Sequence, residues 1–221
     1  MLETRFLFMD EFTDFLSVMK TYPHEQIIFP KGSFLKKPDE AFTTNYYIED
    51  GLIKVSVLHD TGNERTIGFW GKGSIFPIIT SMQKFTLEYS ILMRAVSEVS
   101  AIAFSLDSTR AFMRDYPEIS YAMIDHYAKY TNLFLYNATT TAFESLKMRV
   151  CNILMIHYLN FNMKTIAISQ SDIASLMGAS RQSVVKVLKE LREENIIDTG
   201  NGQITILDTG LLSSFCTSLL S

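Results

Sequence analysis

With 221 residues, 47% of them hydrophobic and 20% charged, the chain can bury a core in one or two domains, which excludes an intrinsically disordered protein. A formal net charge of −4 excludes a protein that coats nucleic acid by bulk positive charge, but charge has to be counted by region. Residues 145–221 hold seven Lys and Arg against six Asp and Glu, whereas residues 1–144 hold thirteen against eighteen, so a nearly neutral C-terminal part stands beside an acidic N-terminal one.

The first residues, MLETRFLFMDEF, lack a basic segment followed by an uninterrupted apolar run and a small-residue cleavage site, and no stretch offers 18 uncharged apolar residues in succession. A soluble, cytoplasmic chain with no membrane partner is expected. Cys151 and Cys216 lie far apart in sequence, which suggests two reduced thiols and neither a disulfide framework nor a thiolate metal cluster.

From about Gln26 to Phe104 short strands alternate with turn residues: QIIF, NYYIEDG, LIKVSVLHD and RTIGFWGKGS. Ile53, Val55 and Val57 alternate with Lys54 and Ser56, and Asp60-Thr61-Gly62-Asn63 supplies a hairpin turn. The pattern predicts an antiparallel β unit. Glycines at 32, 51, 62, 68, 71 and 73 are expected at its corners, where tight reversals need positive φ.

The period then changes. LDSTRAFMRDYP predicts a short helix opened by Asp107, and Pro117, a good first-turn residue, begins a long one. Ile119, Met123, His126, Tyr130, Leu133, Asn137 and Thr140 form one seam along it. A frame one residue later, with Ile124, Tyr127, Phe134 and Ala138, is as apolar. Such a helix is expected to bury two faces, one against the β unit and one against a partner chain.

After Glu144 an amphipathic helix runs through Leu146, Val150, Ile153, Leu154 and His157 to about Asn160, and KTIAI is a brief strand. Ser169 and Asp172 form an S-x-x-D cap at the start of SQSDIASLM. Gly178 ends that helix, Ser180 caps the next, and Val184, Val187, Leu188 and Leu191 give the latter an apolar stripe. IIDTGNGQITIL reads as two short strands around Gly200-Asn201-Gly202. Helix, glycine turn, helix and β wing together describe a winged helix-turn-helix.

With its apolar stripe turned inward, the Ser180 helix must present Arg181, Gln182, Ser183 and Lys186 outward. Arg can donate two hydrogen bonds to guanine O6 and N7, Gln can pair with adenine N6 and N7, and Lys can reach guanine or a phosphate. Lys189, Ser169 and Ser180 are the expected backbone-positioning groups, which fix register without reading sequence.

The stretch SQSDIASLMGASRQSVVKVLKELREENII resembles the DNA-binding motif of the cyclic-AMP receptor protein and FNR (Crp/Fnr) superfamily, with its DIA…G-x-SR-x-S/T-V-x-R/K-x-L-x-x-L core. Upstream, NYYIEDGLIKVSVLHDTGNERTIGFWGKGSIF is similar to the family's β-roll, and the Pro117 helix stands where the family keeps its dimerisation helix. The resemblance implies an α+β fold: a β-roll effector-sensing domain of the cyclic-nucleotide-binding-like, double-stranded β-helix type over 1–115, a dimerisation helix over 116–143 and a winged helix-turn-helix DNA-binding domain over 144–221. It implies a homodimeric transcription regulator bound to palindromic double-stranded DNA, with RNA polymerase as a further partner. Arg181, Gln182 and Lys186 match the family's three principal base-reading positions. The middle one is commonly Glu, an acceptor suited to cytosine N4, so Gln182 predicts an operator that differs at that base pair.

In the family's cyclic-nucleotide binders a Gly-Glu pair holds the ribose and an Arg-Ser/Ala pair clamps the phosphate. By alignment Pro77-Ile78 and Tyr89-Ser90 stand at those positions here. An unpaired phosphate in an apolar site is costly, so no cyclic nucleotide is expected. Nor is an iron–sulfur cluster, which needs four thiolates, or a bound metal on the four scattered histidines. Phe76, Ile78 and Tyr89, with Tyr127, Lys129 and Tyr130 on the long helix, instead suggest a small, largely apolar or aromatic effector. Two further readings stay open. One is a constitutive, ligand-independent regulator. The other is a cupin-like barrel enzyme with a DNA-binding appendage, for which only His59 lies on a barrel strand among the His ligands such enzymes need.

Overall fold

The computed structural model describes residues 6–37, 40–59, 62, 64–80, 90–200 and 202–217. It divides into two compact units. The N-terminal unit comprises Leu7–Gly62 and Ile67–Leu133, and the C-terminal unit comprises Met1–Phe6, Asn63–Thr66 and Phe134–Ser221.

In chain order the N-terminal unit has β1 (Leu7–Phe8), α1 (Leu16–Met19), β2 (His24–Phe29), β3 (Phe34–Lys36), β4 (Thr44–Asp50), β5 (Leu52–Leu58), β6 (Glu64–Gly71), β7 (Ile75–Phe76), β8 (Ser90–Ala95), β9 (Val99–Ser105) and α2 (Leu106–Asp115). The long α3 (Pro117–Phe143) follows. The strands form two sheets, ordered β1-β6-β5-β8-β3 and β2-β9-β4-β7. β1, absent from the sequence reading, pairs parallel with β6 through Leu7 and Phe8 opposite Phe69 and Trp70. Phe12, Met19, Tyr47, Ile75, Ile102, Phe104, Phe112, Ile119 and Met123 share one apolar core, so the first turns of α3 pack against the strands.

The structure corrects several local expectations. On β5, Ile53 and Val55 point inward as the alternation predicts, but Ser56 is buried too and Val57 is only half-buried. A strand in a closed roll has neighbours on both faces, which blurs a period of two. Gly68 lies within β6 and not at a corner, whereas Gly71 ends that strand and opens the turn that the Ser74 N–H closes on its carbonyl at 3.2 Å. Gly51 does need its freedom: its φ is +90°, and a Cβ there would come within 2.2 Å of the Glu98 carbonyl oxygen. Ser105, not Asp107, caps α2, its hydroxyl accepting from the Ser108 N–H at 3.0 Å. Of the Asp60–Asn63 turn only Gly62 falls among the described residues; its N–H donates to the His59 carbonyl at 2.8 Å.

On α3 the two seams separate. Ile119, Met123, His126 and Leu133 are buried, while Ile124 is 63% exposed and Phe134 59%.

The C-terminal unit continues with α4 (Leu146–Phe161), β10 (Thr165–Ala167), α5 (Gln170–Met177), α6 (Arg181–Glu193), β11 (Ile197–Gly200), β12 (Gln203–Ile206) and α7 (Thr209–Ser214). Its sheet is ordered β10-β12-β11, with both pairings antiparallel. Asp208 caps α7, accepting from the Leu211 N–H at 2.9 Å; an Asp three residues ahead of LL is a start signal that the sequence reading passed over.

Candidate nucleic-acid interface

The turn between α5 and α6 is built from three local devices. The Ser169 hydroxyl accepts from the Asp172 N–H at 3.0 Å and donates to the Asp172 carboxylate at 2.6 Å, closing the start of α5. Gly178, at φ +60°, ends it in the left-handed conformation, and the Ala179 N–H returns to the Ala174 carbonyl at 3.0 Å. Ser180 then caps α6, accepting from the Ser183 N–H at 3.1 Å, with the two hydroxyls 2.8 Å apart.

Once started, α6 obeys its stripe. Val184, Val187, Leu188 and Leu191 are buried, which leaves Arg181, Gln182, Ser183, Lys186 and Lys189 exposed on the other side. Lys189 lies 3.6 Å from Glu193. Arg181, Gln182 and Lys186 form no hydrogen bond or ion pair with any described residue. Their donors therefore face water with no described residue competing for them. Ser169, Ser180 and Ser183 differ, because their hydroxyls are already engaged in capping.

Beside this face an open cleft of about 320 Å³ runs between the starts of α5 and α6 and the wing, lined by Ser169, Gln170, Ser171, Arg181, Thr199 and Gln203 among others. The lining mixes these polar side chains with Ile168, Leu188 and Ile204, and Arg181 is its cation. A phosphate backbone suits such a surface: neutral donors fix its position and one cation offsets its charge.

The residues proposed for an effector belong to the N-terminal unit. Trp70 stacks on Phe8 at 4.6 Å between ring centroids and meets Phe76 at 4.3 Å and Tyr130 at 6.2 Å. Ile78 is buried in the core, and its carbonyl accepts from the Tyr127 hydroxyl. Lys129 is tied to Glu11 at 2.8 Å. Tyr89 lies outside the described residues. Phe76, Tyr130 and Trp70 thus form one aromatic group, Tyr127 is tied to Ile78, and the Lys129 ammonium is spent on Glu11.

Sequence reasoning missed the buried polar centre of this cluster. His126 Nδ1 lies 2.5 Å from the Glu11 carboxylate and its Nε2 lies 3.5 Å from the Trp70 Nε1. The indole N–H can only donate, so Nε2 accepts and Nδ1 carries the proton shared with Glu11. Burial raises the Glu11 carboxyl, but hydrogen bonds from His126 and Lys129 together outweigh it and hold the group below its ordinary value. Residue types alone carry no signal for a contact 115 positions apart.

Among the described residues no three His, Cys, Asp or Glu side chains are grouped to hold a metal. Cys151 and Cys216 are buried and free; burial pushes their thiols up to about 12 and about 11, so neither is a thiolate near neutral pH. No described helix is long and apolar enough to cross a membrane.

Residues 26–116 match the cyclic nucleotide-binding domain family and residues 148–215 the Crp-like helix-turn-helix domain family. The chain belongs to the Crp/Fnr superfamily. It is 22% identical to the cyclic AMP receptor protein of Thermus thermophilus, over 87% of this chain and 88% of that one. With the global nitrogen regulator of Synechocystis it shares 21%, over 89% and 87%. The c-di-GMP responsive global regulator CLP of Xanthomonas campestris has a similar fold, with a TM-score of 0.70 at 17% identity over 84% of this chain and 95% of that one. In this Crp/Fnr chain the helix-turn-helix match begins within α4 and ends just beyond α7, so it takes in the capped turn, the exposed face of α6 and the wing.

Proposed function

We propose that this chain is a sequence-specific transcription regulator that reads palindromic double-stranded DNA as a homodimer joined along α3. The observation that carries this reading is the set of uncommitted donors on α6, with Arg181, Gln182 and Lys186 exposed above a buried stripe and anchored by Ser180. The second face of α3 supports the dimer: Tyr121, Ile124, Phe134 and Leu135 are each about 60% exposed, an apolar stripe that a second copy of the helix would cover.

The roll is the regulatory part, and its effector is not a cyclic nucleotide. Ile78 stands in the apolar core where a cyclic nucleotide would need a carboxylate for its ribose hydroxyls, and a phosphate buried without a guanidinium would be left without a partner. The relatives differ in effector, from cyclic AMP to c-di-GMP, so membership of the family does not name this one. An effector that drives the DNA-binding state must favour it by about 1–3 kcal/mol. A specific observation favours a second reading, in which the regulator is constitutive: Trp70, Phe76, Tyr127 and Tyr130 are already packed on one another or on main chain.

Selection of sites from a random duplex library at about 0.1 M salt, without added ligand, tests both. A two-fold palindrome with half-sites roughly one helical turn apart is expected if the chain is constitutive. If it appears only with an added effector, the regulated reading stands. Repeating the selection with Gln182→Glu is expected to shift preference toward cytosine at one position of each half-site. An unchanged preference would remove Gln182 from base reading.

A further inference from the structure

The C-terminal unit brings two guanidinium groups together with no acid between them. Residues Asn63–Thr66 count with this unit, and the Thr66 and Ser175 hydroxyls, buried and 2.7 Å apart, tie the segment to α5. Arg65 donates to the Thr141 hydroxyl at 3.3 Å, and Arg149, on α4, reaches the same hydroxyl at 3.4 Å while donating to the Met177 carbonyl at 2.7 Å. Both arginines are half-buried. No described carboxylate forms an ion pair with either, and the Arg149 Nε–H is buried without a hydrogen-bond partner.

Two like charges that converge on one neutral hydroxyl repel each other, and partial burial weakens the screening that water would provide. Burial and the nearby Arg149 both lower the Arg65 pKa, in that order. A buried donor without an acceptor adds a desolvation cost. A bound anion would relieve all three at once. The arginines line a gap of about 10 Å³ with Asn137 and Thr140 beside them, room for about one water-sized atom. The gap itself holds no more than a water-sized atom, so a chloride ion, which is larger, or a phosphate would seat only partly in it and keep the rest of its surface in solvent.

We infer that Arg65 and Arg149 form a binding site for a small inorganic anion within the C-terminal unit. The inference does not depend on the DNA-reading role, and its test involves no DNA.

Thermal unfolding of the full chain is followed in sodium HEPES, whose bulky sulfonate is the only buffer anion, with chloride or phosphate replacing it at constant ionic strength. The wild type is expected to gain about 2–4 °C along a saturating curve. The anion giving the lower half-saturation identifies the source, halide or oxyanion. Arg65→Gln should lose the saturable gain and, in HEPES alone, unfold no earlier than the wild type, because one of two opposed charges is gone. Arg65→Lys keeps a charge without the fork and should retain only part of the gain. Equal responses of wild type and Arg65→Gln to both anions would overturn the site. So would a variant that is less stable by the same amount in every anion, since Arg65 would then be a packing residue only.

Discussion

The two units treat their polar side chains in opposite ways. On α6 of the C-terminal unit Arg181, Gln182 and Lys186 are exposed and bonded to no described residue, whereas around the candidate effector residues of the N-terminal unit the polar atoms are spent on neighbouring groups: Tyr127 on the Ile78 carbonyl, Lys129 on Glu11, His126 on Glu11 and Trp70. Reading a base edge needs donors that are fixed in place yet unspent, and a capped helix with a buried stripe provides that without further support. Sensing a small molecule needs a site that can exchange internal contacts for external ones. A closed network gives up stability whenever it opens.

This contrast can be attacked first where the expected effect is largest. If the roll's aromatic cluster is packing and not a cavity wall, Trp70→Ala should destabilise the N-terminal unit by about 3–5 kcal/mol, the range for large aromatic truncations in cores. Urea unfolding followed by far-UV circular dichroism measures it. A loss below about 1.5 kcal/mol would mean that the indole borders empty space, since a side chain beside a void has fewer contacts to lose, and the regulated reading would gain from that.

A smaller effect is expected at Glu11. Its carboxyl is held below the ordinary value of 4.5 in the folded chain, so it stabilises the fold above that pH and the contribution is lost as pH falls through the lower, folded-state value. Glu11→Gln should therefore cost about 1–3 kcal/mol near neutral pH and progressively less below about pH 4, flattening the acid limb of the stability profile. A variant whose loss is the same at pH 3 and pH 7 would show that the Glu11 charge plays no part in holding His126 and Lys129.

The same contrast explains what could be read from residues alone. The turn between α5 and α6 was legible because its determinants are local: Ser169, Gly178 and Ser180 act within three or four positions of themselves, and the Val184–Leu191 stripe has a helical period. The long helix was legible as apolar on two frames, but which frame faces inward was not, because Ile119 and Ile124 differ only in what lies opposite them. The strands were found and their glycine corners only partly so, since Gly68 sits inside β6 where composition suggested a turn. Glu11, His126 and Trp70 were unreadable as a group. Their association depends on β1 pairing with β6 and on both meeting α3 at His126 and Tyr130, and no short-range pattern encodes it.

The smallest expected effects separate reading from positioning on α6 itself. Arg181 has no hydrogen-bond or ion-pair partner among the described residues, so Arg181→Ala should cost about 1–3 kcal/mol on the selected operator and almost nothing on unrelated duplex, lowering the specificity ratio. Lys189 lies 3.6 Å from Glu193 with both side chains about 60% exposed, and a solvent-screened pair of that kind leaves its ammonium free to move to a phosphate. Lys189→Ala should weaken operator and unrelated duplex alike, by less than about 1 kcal/mol, and reduce the slope of log K against log salt by roughly one. Binding titrations on the two duplexes at three salt concentrations distinguish the variants. Should Arg181→Ala behave like Lys189→Ala, the exposed face of α6 would be an electrostatic surface without a code, and the difference between the two units would be one of charge and not of information.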